Sequence, residues 1–178
     1  HSIKSDNSLR LSSFLVNYEI MLDLAKKYIN KIHIAFKPHP ILLTNLYKHP
    51  DWGRERADNY YQIWQQLYNG QLETGEYVDL MLTSDAMIHD SISFTVEYLY
   101  TKKPVFYITN GNHTENLCEF GKLAFNQHYK GYAKFEIENF INNVVLSNND
   151  FMQDSRSVFF SNHLSQRENQ SVAKNIFN

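Results

Sequence analysis

The sequence predicts a three-layer α/β fold, a parallel sheet with helices on both faces, and three observations carry that expectation. Short apolar strands alternate with stretches of helical period along most of the chain, the order that crossover connections impose. Lys103-Pro104 leads into Val105-Phe106-Tyr107-Ile108, an unbroken apolar run that suits a strand covered on both faces and preceded by a residue unable to donate to a ladder. Between residues 85 and 100 a short strand, a polar turn and a helix entry follow one another directly.

The elements are expected in this order. Leu11, Phe14, Leu15, Tyr18, Leu22, Ala25 and Ile29 recur at helical spacing, which predicts an amphipathic helix over about 10–30. Ile32-His33-Ile34-Ala35-Phe36 reads as a strand. From Leu42 to Leu67 the period is helical but broken at Pro50-Asp51-Trp52-Gly53, giving two helices and a turn. Tyr77 to Thr83 has the propensity of a strand, but its placement just before Asp85 favours a short helix feeding a strand from Ala86 to His89. Phe94 to Tyr100 is helical, Val105 to Ile108 a strand and Asn116 to Tyr129 a helix. Tyr132 to Phe135 is a possible last strand, Ile137 to Leu146 another helix and Val172 to Ile176 a closing turn of helix. Asn142 to Asp154 is polar and reads as a loop. The layering is Rossmann-like.

The 178 residues are expected to form a single domain, 1–178. With 43% hydrophobic residues and a formal net charge of −2, the composition is that of a soluble globular protein and gives no electrostatic footprint for nucleic acid. Cys118 is the one cysteine; an internal disulfide and a cysteine-rich zinc module are excluded, a reducing cytoplasm is expected, and a buried or half-buried thiol is the plain reading. No run is long and apolar enough to cross a bilayer and no signal peptide is seen. The segment His1 to Leu9 reads as a loop, and the chain as a piece of a longer protein. The sequons at Asn112 and Asn169 read as coincidence.

Two constellations carry chemistry. After the first strand comes Phe36-Lys37-Pro38-His39-Pro40. The prolines bias Lys37 and His39 to extended backbone, so both continue past the carboxyl end of the strand, the edge where such sheets bind ligands. An imidazole there can be held protonated by a diphosphate and stabilise charge on a departing nucleotide. The second constellation is Asp90-Ser91-Ile92-Ser93 leading to Glu97. Ser93 is the N-cap candidate, and the helix entry offers amides and hydroxyls to a phosphate. Glu97, four residues on, shares a face with Ser93 and suits either a ribose diol or compensation of the helix dipole. Asp90 is expected to fix the turn by accepting backbone N–H groups rather than to touch phosphate. Asp85, His89 and Asp90 alternate across the strand and do not converge on a metal.

These two motifs in this order resemble the carboxyl-terminal half of the CDP-glycerol glycerophosphotransferase family, which builds teichoic acids and related surface polysaccharides on a two-lobed GT-B fold. In that family the turn usually reads Asp-Tyr-Ser-Ser, then an Asp four residues after the second serine, then Lys-Pro. Here Asp90, Ser91, Ile92, Ser93, Glu97, Lys103 and Pro104 take those places, with Ser91 for the aromatic, Ile92 for the first serine and Glu97 for the Asp. The resemblance covers roughly residues 30 to 178. It implies a donor site for CDP-glycerol or a related nucleotide formed by Lys37, His39, Asp90, Ser91, Ser93 and Glu97, with His39 as the catalytic contact to the pyrophosphate and no metal or further cofactor. It also implies an amino-terminal lobe that binds the acceptor, a cytoplasmic enzyme at the inner face of the membrane with peripheral association, and little turnover by this lobe alone. The rival readings are a GT-B sugar transferase or UDP-sugar 2-epimerase-like domain, favoured by a glycine pair that this turn lacks, and a non-catalytic docking module using the Tyr- and Trp-rich segment from Tyr47 to Tyr68.

Overall fold

The structure, a computed structural model, describes residue 3 and residues 12–109 and 117–165. Helix α1 (Phe14–Lys27) is the first helix among the described residues. It is shorter than the periodicity suggests because its ends are fixed by particular groups. The Ser12 hydroxyl accepts the Phe14 N–H at 3.3 Å and the Asp90 carboxylate accepts the Ser13 N–H at 2.6 Å, which satisfies amides that have no partner inside a helix. At the other end Lys26 and Lys27 fall in the last turn, where positive charge suits the helix dipole.

Strand β1 (Ile34–Phe36) pairs in parallel with β2 (Gly70–Leu72), Ile34 opposite Gly70 and Phe36 opposite Leu72. Two helices connect them, α2 (Leu42–Tyr47) and α3 (Gly53–Gln66), split at the break read from the sequence. Gly53 has φ +70°, a conformation that glycine adopts without steric cost. Helix α3 buries Ala57, Tyr60, Tyr61 and Trp64 at helical spacing. Phe14 meets Tyr60 edge to face at 5.4 Å, and Tyr18 meets Trp52 at 4.8 Å; each such ring pair contributes about 0.5–1.5 kcal/mol beyond area burial. Most of the aromatic segment is therefore core, and Tyr68 is exposed.

Helix α4 (Val78–Thr83) leads into β3 (Met87–His89). Helix α5 (Phe94–Glu97) tightens into a 3₁₀ turn over Tyr98–Thr101, then β4 (Val105–Ile108), α6 (Glu119–Phe125) and β5 (Tyr129–Gly131) follow. The order β3-β4-β5 is parallel throughout, and all four residues of β4 are buried. Helix α7 (Lys134–Phe140) runs on as a π turn over Ile141–Leu146, and α8 (Gln153–Phe159) as a π turn over Phe160–Leu164.

Three expectations are corrected. The strands form two parallel sheets, of two and three strands, not one. The last strand is Tyr129–Gly131, because Glu136 Oε2 accepts the N–H groups of both Tyr132 and Ala133 at 2.8 Å and draws residues 132–135 into the entry of α7. The polar stretch from Asn142 to Asp154 is loop only in its middle, since helical backbone runs to Leu146 and resumes at Gln153. The expected turn at Val172–Ile176 and the sequons at Asn112 and Asn169 lie outside the described residues.

Helix α1 serves both halves. Leu22 and Ala25 belong to the core with α2, α3, Trp52 and Tyr60, whereas Leu24 packs with Phe106, Ile108, Ile137 and Phe140. The Asn69 amide completes the join by donating to Ala25 O and Ile32 O, both at 2.9 Å.

Candidate functional site

The two constellations sit just past the carboxyl ends of β1 and β3, and the first two residues of the α1 end touch both. Phe14 stacks on Phe36, the last residue of β1, with ring centres 6.4 Å apart. Ser13, beside it, donates its N–H and its hydroxyl to Asp90 Oδ2 at 2.6 and 3.0 Å. Asp90 directly follows β3. The ends of the two sheets are thus clasped through one short piece of chain.

His39 is exposed, Lys37 half-buried and Pro38 buried, so the ring of Pro38 anchors the turn while the imidazole stays at the surface. The Ile41 N–H donates to His39 Nδ1 at 3.3 Å. That nitrogen is the acceptor, and the ring proton therefore resides on Nε2. Partial burial lowers the pKa of His39, and the charge of Lys37 lowers it further. Both causes favour the neutral form of the ring before any anion approaches.

In the second constellation, Ser93 occupies the N-cap position of α5, but with helical φ and ψ and without a side-chain cap bond; its side chain is exposed. Ser91 is buried, and its carbonyl faces His89 Nδ1 at 3.0 Å and the Thr95 hydroxyl at 3.4 Å. Asp90 accepts a backbone N–H as expected, yet from Ser13 across the fold rather than from its own turn. Its carbonyl accepts the Tyr107 hydroxyl at 3.2 Å. Glu97 is exposed and accepts the Tyr77 hydroxyl at 3.0 Å, and the Tyr77 ring lies 5.2 Å from Phe94. Lys103 ties β4 to the end of α4, its ammonium donating to Leu82 O and Ser84 O at 2.6 Å.

Sequence reading missed Ser13, Tyr77 and the pair His89 and His128. Each meets its partner through a contact that no local pattern encodes. Behind the turn, His89 and His128 are buried with ring centres 5.3 Å apart. A carbonyl can only accept, so each Nδ1 is protonated, His89 toward Ser91 O and His128 toward Ala124 O, both at 3.0 Å. Both Nε2 atoms are left buried without a hydrogen bond.

Cys118 is exposed, not buried as expected. Its sulfur accepts the Gly121 N–H at 3.4 Å at the start of α6, a place that lies at the surface because the helix end does. Beyond β2, a cleft of about 370 Å³ is lined by Gln71, Glu73, Glu76, Asp79, Leu80 and Thr83. Its carboxylates repel phosphate, so it is not part of a pyrophosphate site. Among the described residues no helix is long and apolar enough to cross a membrane.

A family model described as CDP-Glycerol:Poly(glycerophosphate) glycerophosphotransferase matches residues 8–178. No curated protein and no solved structure matches the chain.

Proposed function

Since this chain belongs to the CDP-glycerol:poly(glycerophosphate) glycerophosphotransferase family, a family of transferases, we propose that it binds the nucleotide-activated donor, CDP-glycerol first among candidates, beyond the carboxyl ends of β1 and β3. The observation that carries this reading is the clasp of Phe14 on Phe36 and of Ser13 on Asp90, which ties together the strand ends bearing Lys37, His39, Ser91, Ser93 and Glu97.

In the proposed reaction a hydroxyl oxygen of the acceptor polymer attacks the β-phosphorus in line. The bond from that phosphorus to the bridging oxygen breaks, and CMP departs with the electron pair. The hydroxyl proton passes to a base of an acceptor-binding lobe. His39 donates from Nε2 to the pyrophosphate, and the Lys37 ammonium adds charge there, so negative charge growing on the leaving CMP meets donors already in position. The exposed Ser93 hydroxyl donates to a phosphate oxygen. The buried Ser91 contributes through its backbone, and Asp90 orients the turn. Glu97 accepts from the ribose diol, its second oxygen remaining available while Tyr77 holds the first. No metal is assigned. The acceptor is a surface polymer of the teichoic acid type, and the enzyme works in the cytoplasm against the inner face of the membrane.

Calorimetric titration with CDP-glycerol, CDP and UDP-glucose tests the assignment. Binding of the cytidine compounds in preference to UDP-glucose is the expected result; the reverse preference would overturn the donor, and no binding of any of the three would overturn the site.

A further inference from the structure

We propose that His89 is a positioning residue for the donor turn: through the Ser91 carbonyl it fixes the peptide between Ser91 and Ile92 so that the Ile92 N–H faces the bound donor. This rests on the donor site proposed above. The Ser91 carbonyl is held from inside the fold by two donors, His89 Nδ1–H at 3.0 Å and the Thr95 hydroxyl at 3.4 Å. In a planar trans peptide the C=O and the following N–H point in opposite directions, and no described peptide bond is cis. A carbonyl turned inward toward a buried imidazole therefore turns the Ile92 N–H outward, to the side where Ile92 and Ser93 are exposed.

His89 is suited to this task because it is buried and three rings close around it. Tyr107 meets it edge to face at 5.1 Å, Phe94 at 6.3 Å, and His128 closes the third side at 5.3 Å. His128 has its own proton committed to Ala124 O and offers His89 no donor, so the single proton of the His89 ring stays on Nδ1, facing Ser91. Tyr107 meanwhile donates to the preceding carbonyl, that of Asp90. Two successive peptides of the turn are thus held from behind, and the side chains that hold them touch no ligand themselves.

The test uses the full chain and CDP-glycerol as the probe, measuring affinity by calorimetry beside the unfolding midpoint. His89→Asn places an amide N–H where Nδ1–H was, whereas His89→Leu fills the space without a donor. The expected result is about tenfold weaker binding for His89→Leu, the worth of one hydrogen bond, with His89→Asn within about threefold of the unmutated chain. Thr95→Val is expected to weaken binding about threefold with the midpoint held. Unchanged affinity in His89→Leu, or a folded His89→Asn as impaired as His89→Leu, overturns the proposal; should the leucine variant fail to fold, unchanged affinity in Thr95→Val overturns it. An unmutated chain that binds neither CDP nor CDP-glycerol removes the donor site itself, and this inference falls with it.

Discussion

The amide and the hydroxyl of Ser13 both donate to Asp90 Oδ2, at 2.6 and 3.0 Å, across 77 positions of sequence. A carboxylate at the end of β3 thereby caps helix α1, where negative charge is stabilised by the N-terminal amides. Asp90→Asn removes the charge from a half-buried, charge-assisted bond. It is expected to lower unfolding stability by about 1–3 kcal/mol, read from urea denaturation at pH 7.5. An unchanged midpoint would mean that the clasp adds nothing to the fold.

Replacing His39 separates chemistry from folding. The side chain is exposed, so His39→Ala leaves the thermal midpoint within a degree or so, while turnover in the complete enzyme falls about a hundredfold, as when one preorganised donor is lost from a transition state. Steady-state kinetics of that variant indistinguishable from those of the unmutated enzyme would exclude the imidazole from the reaction.

Glu97 is expected to read the ribose. The unmutated chain binds CDP more tightly than 2′-deoxy-CDP by about tenfold, and Glu97→Gln narrows that gap. Paired titrations check it. Equal affinities for the two nucleotides before any mutation would return Glu97 to a surface role, held only by Tyr77.

Stability falls in mild acid because two imidazoles are buried neutral. Burial and then the neighbouring His128 push His89 down to about 3. Burial brings His128 down to about 4 against the help of its bond to Ala124 O, with Arg156 of α8 and Lys130 of β5 adding to the effect. Both folded values lie below the unfolded value of about 6.5, so stability is full above pH 6.5 and falls as pH drops from there, toward about 4 for His128 and about 3 for His89. At pH 5 each group costs about 2 kcal/mol relative to pH 7.5. Urea curves at the two pH values should therefore differ by about 4 kcal/mol; coincident curves would show that these rings take up protons without penalty.

Gly131 ends β5 in a space that admits no side chain. A Cβ there would lie 2.7 Å from Glu136 Cβ and 2.8 Å from Phe106 Cζ. Gly131→Ala is expected to cost about 1–3 kcal/mol, seen as a lower thermal midpoint, and a midpoint equal to that of the unmutated chain would count against so close an approach of α7 to the sheet.

Elements with strong local signals were legible in the sequence. The split between α2 and α3 follows from Pro50 and Gly53, and β4 from its apolar run after Pro104, whereas α4 was read only from its placement before β3, against the strand propensity of Tyr77 to Thr83. Strand β2 was not legible, since Gly70-Gln71-Leu72 has one large apolar side chain and is a strand only by pairing with β1. Strand β5 was misplaced because Tyr132 and Phe135 have strand propensity, which the carboxylate of Glu136 overrides. In the candidate site, Lys37, His39, Asp90, Ser93 and Glu97 were singled out from their places at the strand ends and the helix entry, and Ser91 from the family resemblance. Ser13, Tyr77 and His128 were not, because each acts through a partner distant in sequence.

One helix is keyed into both cores: Leu22 and Ala25 turn one way and Leu24 the other. Swinging either sheet away from its neighbour would strip apolar side chains of α1 from one side or the other. The placement of one sheet beside the other is consequently fixed by the packing of a single helix.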